Sequence, residues 1–193
     1  MRTGVLGGTF DPIHLGHLSA AEAAMECSAL DRVLFVPTGE PPHRPPTVAS
    51  AEDRLEMCKL AIAGESRFEV SDIELRRGGR SYTVDTLREL HRRFPDDELF
   101  LIVGWDAARL LGTWRDPDQV RRLATIVIVT RPGSGTPDEK AGVLCERPTP
   151  DISGSQLRRA IARGEDVSGR VPAAVAAYIS MHGLYGDNRH VGC

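Results

Sequence analysis

The sequence predicts an α/β fold, a three-layer sandwich with a mostly parallel sheet of about five or six strands. Short β-branched runs alternate along the chain with amphipathic helical stretches, as a parallel sheet with crossover helices requires. The runs Leu99–Val103 and Ile126–Val129 are apolar throughout, which is typical of strands buried on both faces. The chain has 193 residues, a length that suits one domain.

Each predicted strand is a short apolar or β-branched run. We predict the strands Val5–Leu6, Arg32–Pro37, Phe68–Val70, Ile73–Leu75, Leu99–Val103 and Ile126–Val129. The first strand runs into Gly7 and Gly8, and a proline stops the second. Residues 37–50 are rich in proline, and so long a loop in a compact domain is either disordered or functional.

Each predicted helix has apolar residues at helical spacing or an N-terminal capping signal. We predict helices over His17–Glu26, Ala51–Ala63, a segment that starts near Thr83, Ala107–Leu111, Pro117–Arg122, Ser153–Arg163 and Val171–Gly183. The last helix has proline in its first turn and glycine just past its end, which is the favoured arrangement. No repeat or linker interrupts this order, so we expect a single domain over residues 1–186 and a frayed tail over 187–193.

Composition excludes several classes of protein. A hydrophobic content of 41% supports a core and rules out wholesale disorder or a collagen-like chain. The net charge of −3 argues against a general nucleic-acid-binding surface, although a small anionic substrate needs only a local basic cluster. The apolar runs are too short for a membrane helix, and the first residues lack the apolar segment of a signal peptide. We therefore expect no membrane partner.

The cysteines show no metal-binding or disulfide framework. Four are scattered along the chain, and no two form a Cys-x-x-Cys pair: Cys27, Cys58, Cys145 and Cys193. We predict reduced thiols and a cytoplasmic location.

The most informative segment is Gly7-Gly-Thr-Phe-Asp-Pro-Ile-His-Leu-Gly-His-Leu18. Glycines just after a buried strand let the backbone approach a phosphate or ribose closely, and the N-terminus of the next helix favours an anion. His14 and His17 flank Gly16, so both imidazoles can converge on that anion. They could also be capping or core histidines, or half of a metal site that has no third ligand nearby. Neither Gly-x-Gly-x-x-Gly nor the Walker pattern is present.

This segment is identified as the His-x-Gly-His signature of the nucleotidyltransferase superfamily, and its full form resembles that of bacterial nicotinate-nucleotide adenylyltransferases. Those enzymes join ATP to nicotinate mononucleotide in NAD biosynthesis, giving deamido-NAD and pyrophosphate. Further motifs resemble the same family over nearly the whole chain: Pro41–Arg44, Glu52–Met57, Ser81–Leu87, Gly104–Asp106 followed by Trp114, Arg131–Gly133 and Ile152–Arg158. The resemblance implies a Rossmann-like domain with its site at the carboxyl ends of the strands.

Two family motifs are altered in this sequence. In Pro41–Arg44 an arginine replaces the usual lysine. In Ile152–Arg158 the family has Ile-Ser-Ser-Thr-x-x-Arg, and here Gly154 and Ser155 stand for the serine and the threonine. One hydroxyl is lost, while the backbone amides remain. Ser153 and Gln156 also form a Ser-x-x-Gln capping box, so a plain helix start explains part of this pattern.

The resemblance implies a set of site residues. The catalytic residues are His14, His17 and Arg158. The ATP-binding residues are Gly7, Gly8, Thr9, Phe10, His14, His17, Gly104, Asp106, Ser153, Ser155 and Arg158. The residues that bind nicotinate mononucleotide are His43, Arg44, Tyr82, Thr83, Trp114 and Arg131. Mg²⁺ is expected as cofactor, held mainly by substrate phosphates rather than by a protein metal site. ATP and nicotinate mononucleotide are the expected partners, with no nucleic acid, and a homo-oligomer stays open.

We expect direct in-line displacement, in which a phosphate oxygen of the mononucleotide attacks the α-phosphorus of ATP without a covalent intermediate. Three alternatives stay open. Phosphopantetheine adenylyltransferase is disfavoured by Ser81-Tyr-Thr83 and Trp114, and an enzyme that prefers the nicotinamide nucleotide is another member of the superfamily. A nucleotide-binding regulator without catalysis is disfavoured by the intact His14 and His17.

Some single residues also have two interpretations. Trp114 stacks on the pyridine or belongs to the core, and Trp105 is a pocket wall or plain packing. Asp106 binds ATP or caps a helix. Asp11 is predicted to form a turn before Pro12 rather than to act as a base. The pairs Arg76–Arg77 and Arg92–Arg93 are predicted to be solvated.

Overall fold

A parallel sheet of six strands forms the middle layer of the protein. The computed structural model describes residues 1–41, 46–130, 142–147 and 149–186. The strands are β1 (Arg2–Gly8), β2 (Arg32–Pro37), β3 (Phe68–Val70), β4 (Glu98–Gly104), β5 (Thr125–Val129) and β6 (Val143–Cys145). Their order is β3-β2-β1-β4-β5-β6, so the chain reverses its direction of travel across the sheet between β3 and β4. In open parallel sheets, a crevice for ligands forms at the carboxyl ends of the strands at such a switch point.

Helices cover both faces of the sheet. They are α1 (Leu15–Cys27), α2 (Ala51–Ile62), α3 (Ile73–Arg77), α4 (Thr83–Arg93), α5 (Trp105–Arg109), α6 (Pro117–Leu123), α7 (Gly154–Ala162) and α8 (Ala173–Met181). Neighbouring strand residues point to opposite faces: Leu6 joins the core that includes residues of α1, α2, α7 and α8, and Val5 joins the core that includes residues of α4 and α6. The predicted Rossmann-like three-layer fold is confirmed.

Three element predictions need correction. Ile73–Leu75 is not a strand, because Ile73 and Glu74 are buried side by side in the first turn of α3. Alternating strand residues would have faced opposite sides. Helix α1 begins at Leu15, with His14 in extended conformation as its N-cap, so His17 lies within the first turn. The last helix begins at Ala173, and Pro172 is its N-cap. Strand β6 was not predicted.

The prediction of four reduced thiols is wrong for one pair. Cys27 ends α1 and Cys145 ends β6, and their sulfur atoms form a disulfide across 118 residues of sequence. The sheet order brings β6 beside α1, which no local spacing of cysteines can show. The expected cytoplasmic location was inferred partly from reduced thiols, and the bonded pair no longer supports that inference. Cys58 is a buried free thiol, and burial raises its pKa. Cys193 and the predicted tail lie outside the described residues.

In the described ranges, no helix combines the length and the apolar character that crossing a bilayer demands.

Candidate active site

A cavity of about 660 Å³ opens at the carboxyl edge of the sheet, a size that suits a small-molecule ligand. It brings together thirteen of the predicted site residues: Gly7, Gly8, Thr9, His14, His17, Tyr82, Thr83, Gly104, Asp106, Trp114, Ser153, Ser155 and Arg158. Phe10 does not line it. His43, Arg44 and Arg131 lie outside the described residues. Segments that are far apart in sequence therefore contribute to one concave surface.

The two histidines of the first motif are stacked at the start of α1. Their ring centroids lie 3.7 Å apart, and His14 is buried while His17 is half-buried at the cavity wall. The backbone N–H of His14 donates to Nδ1 of His17 at 3.2 Å. A neutral His17 must then carry its proton on Nε2, which makes that atom the hydrogen-bond donor.

Phe10 packs its ring against the His17 ring. Its backbone has a positive φ of 47°, and its ring is buried and meets the His17 ring edge-on at 4.9 Å. The side chain of Phe10 therefore restricts the orientation of the imidazole instead of facing the cavity. Its predicted contact with ATP remains a prediction.

Helix α7 presents its N-terminus to the same cavity. Ser153 is its N-cap and accepts a hydrogen bond from the backbone N–H of Gln156, as the capping pattern predicts. The hydroxyls of Ser153 and Ser155 lie 2.9 Å apart. Arg158, one turn further on, donates from Nη1 to the backbone oxygen of Asp11 at 2.7 Å. The N-terminal turns of α1 and α7 and one guanidinium are thus gathered on one side of the cavity.

Asp11 has a larger structural role than the predicted turn. It precedes Pro12 through a cis peptide bond, and its carboxylate is buried. That carboxylate accepts hydrogen bonds from the backbone N–H groups of Val48 and Ala49 and from the Tyr185 hydroxyl, at 2.8, 3.0 and 2.8 Å. Asp11 therefore joins the first motif to the loop before α2 and to the segment that follows the last helix.

Arg54 is a second buried residue that holds the site together. Its guanidinium is almost inaccessible and donates to the backbone oxygens of Thr9 and Thr38 at 2.8 and 2.7 Å. Burial lowers the pKa of Arg54, and the charge of Asp11 opposes that shift. The side chain ties the loops that follow β1 and β2. One signal in the sequence could have revealed it, because Arg54 shares a helix face with the apolar Met57 and Cys58.

The opposite wall of the cavity is aromatic. Tyr82, Trp105 and Trp114 are half-buried, line the cavity and pack against the core on the α4 side. Trp114 therefore serves the core and the cavity wall together, and Trp105 is a wall residue. The Arg115 guanidinium lies 4.7 Å from the centre of the Tyr82 ring, a contact that the sequence did not predict.

Helices α4 and α5 begin at this wall. Asp106 is exposed in the first turn of α5, whose N-cap is Gly104, so the helix-cap interpretation of Asp106 is wrong. Helix α4 has Tyr82 as N-cap and no side-chain cap. The first backbone N–H groups of α4, those of Thr83 and Val84, therefore have no partner within the helix.

Comparison with known proteins places the chain among nucleotidyltransferases. Residues 5–160 match the model of the cytidylyltransferase-like family. A probable nicotinate-nucleotide adenylyltransferase of Thermus thermophilus is 51% identical over 186 residues, covering 96% of this chain and 100% of that protein. A relative with the same description from Dehalococcoides mccartyi is 42% identical and covers 96% of this chain and 97% of its own length.

Solved structures show the same fold at low identity. The Plasmodium falciparum nicotinic acid mononucleotide adenylyltransferase complexed with NaAD superimposes with a TM-score of 0.79 at 17% identity, covering 95% of this chain and 97% of that one. The structure of that protein complexed with APC gives a TM-score of 0.76 at 16% identity, with 95% and 96% coverage.

Proposed function

This chain belongs to the nicotinate-nucleotide adenylyltransferase family, the nucleotidyltransferases of NAD biosynthesis, and we propose that it transfers the adenylyl group of ATP to nicotinate mononucleotide by direct in-line displacement. The observation that carries this proposal is the division of one cavity between two walls. Helix N-termini, imidazoles and a guanidinium form one wall, and aromatic rings with free amides form the other. The first wall suits phosphates, and the second suits a flat ring.

The displacement makes one P–O bond and breaks another. A phosphate oxygen of the mononucleotide attacks the α-phosphorus of ATP, and the bond to the β-phosphate oxygen breaks, so that pyrophosphate leaves with the bonding electrons. The attacking phosphate is already anionic and no base is required. Catalysis then rests on positioning and on donors aimed at the phosphate oxygens where charge develops.

His17 is the donor that we assign to the reacting phosphate. Its Nδ1 accepts from the backbone N–H of His14, so a neutral ring carries its proton on Nε2, and this is the N–H that we assign to the α-phosphate. The buried Phe10 ring packs against it edge-on. Arg158 supplies a full positive charge from the other helix. At rest it is bonded to a carbonyl oxygen, and its closest carboxylate oxygen, on Asp11, is 3.7 Å away. A phosphate oxygen is a stronger acceptor than that carbonyl.

Mg²⁺ enters this scheme as part of the ATP substrate. In proteins of this kind the ion keeps several water ligands and is bound mainly through substrate phosphates. Within the described part of the chain, no group of three or more His, Cys, Asp or Glu side chains is arranged to hold a metal. The protein residues that we assign to the phosphates are His14, His17 and Arg158.

The acid form of the pyridine suits the aromatic wall better than the amide form. The free N–H groups at the start of α4 can only donate, and a nicotinate carboxylate can only accept. An amide NH₂ turned toward those groups leaves buried donors unpaired, at roughly 1–3 kcal/mol each. Stacking on Trp114 serves both rings about equally. We expect the acid to be preferred by about 100-fold in kcat/KM.

Pyrophosphate release at matched ATP tests the proposal directly. Nicotinate mononucleotide, nicotinamide mononucleotide and phosphopantetheine are offered side by side to the full chain. Fast turnover of the first alone is expected. Equal turnover of the two pyridine nucleotides contradicts the donor-only wall, and turnover of phosphopantetheine alone contradicts the assigned acceptor.

A further inference from the structure

Glu74 is a buried carboxylate behind the aromatic wall of the cavity. It lies in the first turn of α3 and is only 6% exposed. Its Oε1 accepts a hydrogen bond of 2.6 Å from the Thr86 hydroxyl, and its Oε2 has no hydrogen-bond partner among the described residues. Both Glu74 and Thr86 lie against the cavity. Burial of a carboxylate costs free energy unless its oxygens are hydrogen-bonded or its charge is paired, so the partners of Glu74 need an explanation.

Arg77 is the positive charge near Glu74, and the Thr86 hydroxyl connects the two side chains by hydrogen bonds. Nη2 of Arg77 donates to Oγ1 of Thr86 at 3.0 Å, and the single hydroxyl proton of Thr86 is donated on to Glu74. Burial raises the pKa of Glu74, and the Thr86 hydroxyl, the Ser81 hydroxyl and the Arg77 charge oppose that shift. The second partner of Arg77 is Glu89, a half-buried carboxylate that does not line this cavity.

Next to Glu74, hydrogen bonds join the loop after β2 to the segment that leads into α4. The backbone N–H of Gly39 donates to the Ser81 hydroxyl at 3.2 Å, and that of Ser81 donates to the Glu40 carbonyl at 2.9 Å. A Cβ on Gly39 would lie 3.0 Å from the Ser81 Oγ and 3.1 Å from the Glu74 carbonyl oxygen, so the three segments are tightly packed. Tyr82 and Thr83 lie between Ser81 and Thr86, and both ends of this short segment are held at Glu74 and its neighbours.

We propose that Glu74 is a positioning residue for the pyridine nucleotide, which acts by fixing Thr86 and the first turn of α4. This inference rests on the proposed function, because it assumes that the free amides of that turn receive the nicotinate carboxylate. Glu74 does not contact the substrate. Through Thr86 it sets where the N–H group of Thr83, which lines the cavity, points, and ATP at the opposite wall is unaffected.

Two variants remove this hydrogen bond from either side. Glu74→Met keeps the length of the side chain without an acceptor, and Thr86→Val keeps the shape without the hydroxyl. Each is expected to raise KM for nicotinate mononucleotide by about 10- to 100-fold, the scale of one hydrogen bond to a charged group, with KM for ATP within about two-fold. In the double variant, KM for the mononucleotide should be no higher than in the more impaired single variant, because each single variant already removes the same hydrogen bond.

Two further variants separate positioning from general damage. Glu74→Gln retains an acceptor for Thr86 and should restore KM for the mononucleotide to within about three-fold of the wild-type value. Glu89→Gln removes a carboxylate from the same arginine outside the cavity and should leave both KM values unchanged. Calorimetry of nicotinate mononucleotide with each variant measures binding without turnover, and thermal unfolding shows which variants are folded.

The outcomes are distinguishable. If KM for both substrates rises alike, or if Thr86→Val leaves KM for the mononucleotide unchanged, Glu74 has only a structural role and the inference is wrong. If the wild-type chain does not turn over nicotinate mononucleotide at all, the proposed function fails instead. Should Glu74→Met not fold, Thr86→Val and Glu74→Gln decide the matter.

Discussion

Polar groups at the amino ends of the strands pair with one another, whereas those at the carboxyl ends face a cavity. At the amino edge, Asp97 accepts hydrogen bonds from the Thr3 hydroxyl, from Arg32 and from the amino group of Met1, at 2.7, 2.9 and 3.2 Å. Arg32 also pairs with Glu69 at 3.1 Å. Donors and acceptors there satisfy one another, and the result is stability without a cavity.

At the carboxyl edge the polar groups are left open toward a cavity. Arg158 has a carbonyl oxygen as its acceptor, and the hydroxyls of Ser153 and Ser155 bond to each other. Helix α7 begins there, and the backbone N–H groups of Gly154 and Ser155 in its first turn have no partner within the helix. The amino edge uses its donors to stabilise the fold, and the carboxyl edge keeps donors for a ligand. Stability and activity should therefore respond to different substitutions.

His17→Ala should produce the largest effect. Loss of one preorganised donor to the reacting phosphate lowers kcat by about 10²- to 10³-fold, while KM for ATP changes by less than about three-fold. Steady-state pyrophosphate release measures both. His91→Ala, at an exposed position on α4, is the matched control and should behave as wild type. Near-normal kcat in folded His17→Ala protein would contradict this assignment.

Arg158→Ala should come next, with a loss of about 2–3 kcal/mol in kcat/KM for ATP, because a charged donor to phosphate is removed. Calorimetry should show binding of nicotinate mononucleotide almost unchanged. Arg159→Ala, one residue away and exposed, controls for the loss of positive charge on α7. Equal weakening of both nucleotides would place Arg158 in the wrong half of the cavity.

Asp97→Asn should leave kcat unchanged and lower the free energy of unfolding by about 1–2 kcal/mol at neutral pH. Partial burial alone would raise the pKa of Asp97, but hydrogen bonds from Thr3, Arg32 and the amino terminus lower it. A lowered folded-state pKa gives stability that is present above the unfolded pKa of about 3.9 and is lost as pH falls through the folded pKa.

Denaturant unfolding of wild type and Asp97→Asn between pH 2 and pH 7 checks this sign. The difference between the two proteins should shrink toward acid pH. Asp96→Asn, an exposed neighbour, is the control and should follow wild type at every pH. A difference that grows on acidification would show that the amino-edge network does not stabilise the fold through the Asp97 charge.

The smallest effect is expected at Gly154, where the family has serine. A Cβ there would lie 3.3 Å from the Asp11 carbonyl oxygen and 3.5 Å from the Arg158 Nη1. Gly154→Ala and Gly154→Ser share that contact, so their difference isolates the hydroxyl. We expect the serine variant to have the lower KM for ATP by about 2- to 5-fold, the scale of one neutral hydrogen bond. Equal values would mean that backbone amides alone hold the phosphates.

Most of the sheet was readable from the sequence because parallel strands buried on both faces are continuous apolar runs. Strand β6 was missed because its three apolar residues do not alternate with polar ones, whereas β3, equally short, reads apolar-polar-apolar. Ile73–Leu75 was misassigned because an apolar-polar-apolar triplet fits a strand and a helical turn equally well. The disulfide joins residues whose proximity is created only by the strand order.

In the candidate site, too, the residues of linear motifs were predicted, and the residues that hold those motifs in place were not. His14, His17 and Arg158 belong to linear motifs, and the structure brings them to one cavity as the motifs predict. Asp11 and Arg54 hold these motifs through backbone N–H and carbonyl groups. Any sequence supplies such groups, so the hydrogen bonds themselves leave no pattern in a single sequence. The one sequence signal for Arg54 is its position on the apolar face of α2.

The hydrogen bond from Tyr185 to Asp11 spans 174 residues and has a consequence for biosynthesis. During translation, the loop that carries Asp11 and His14 emerges long before Tyr185 does, because 174 residues separate Asp11 from Tyr185. A nascent chain still lacking residues 149–185 has neither Arg158 nor the hydroxyl that holds Asp11. We expect adenylyl transfer to begin only after Tyr185 has left the ribosome, so shorter nascent chains should neither consume ATP nor compete for the mononucleotide.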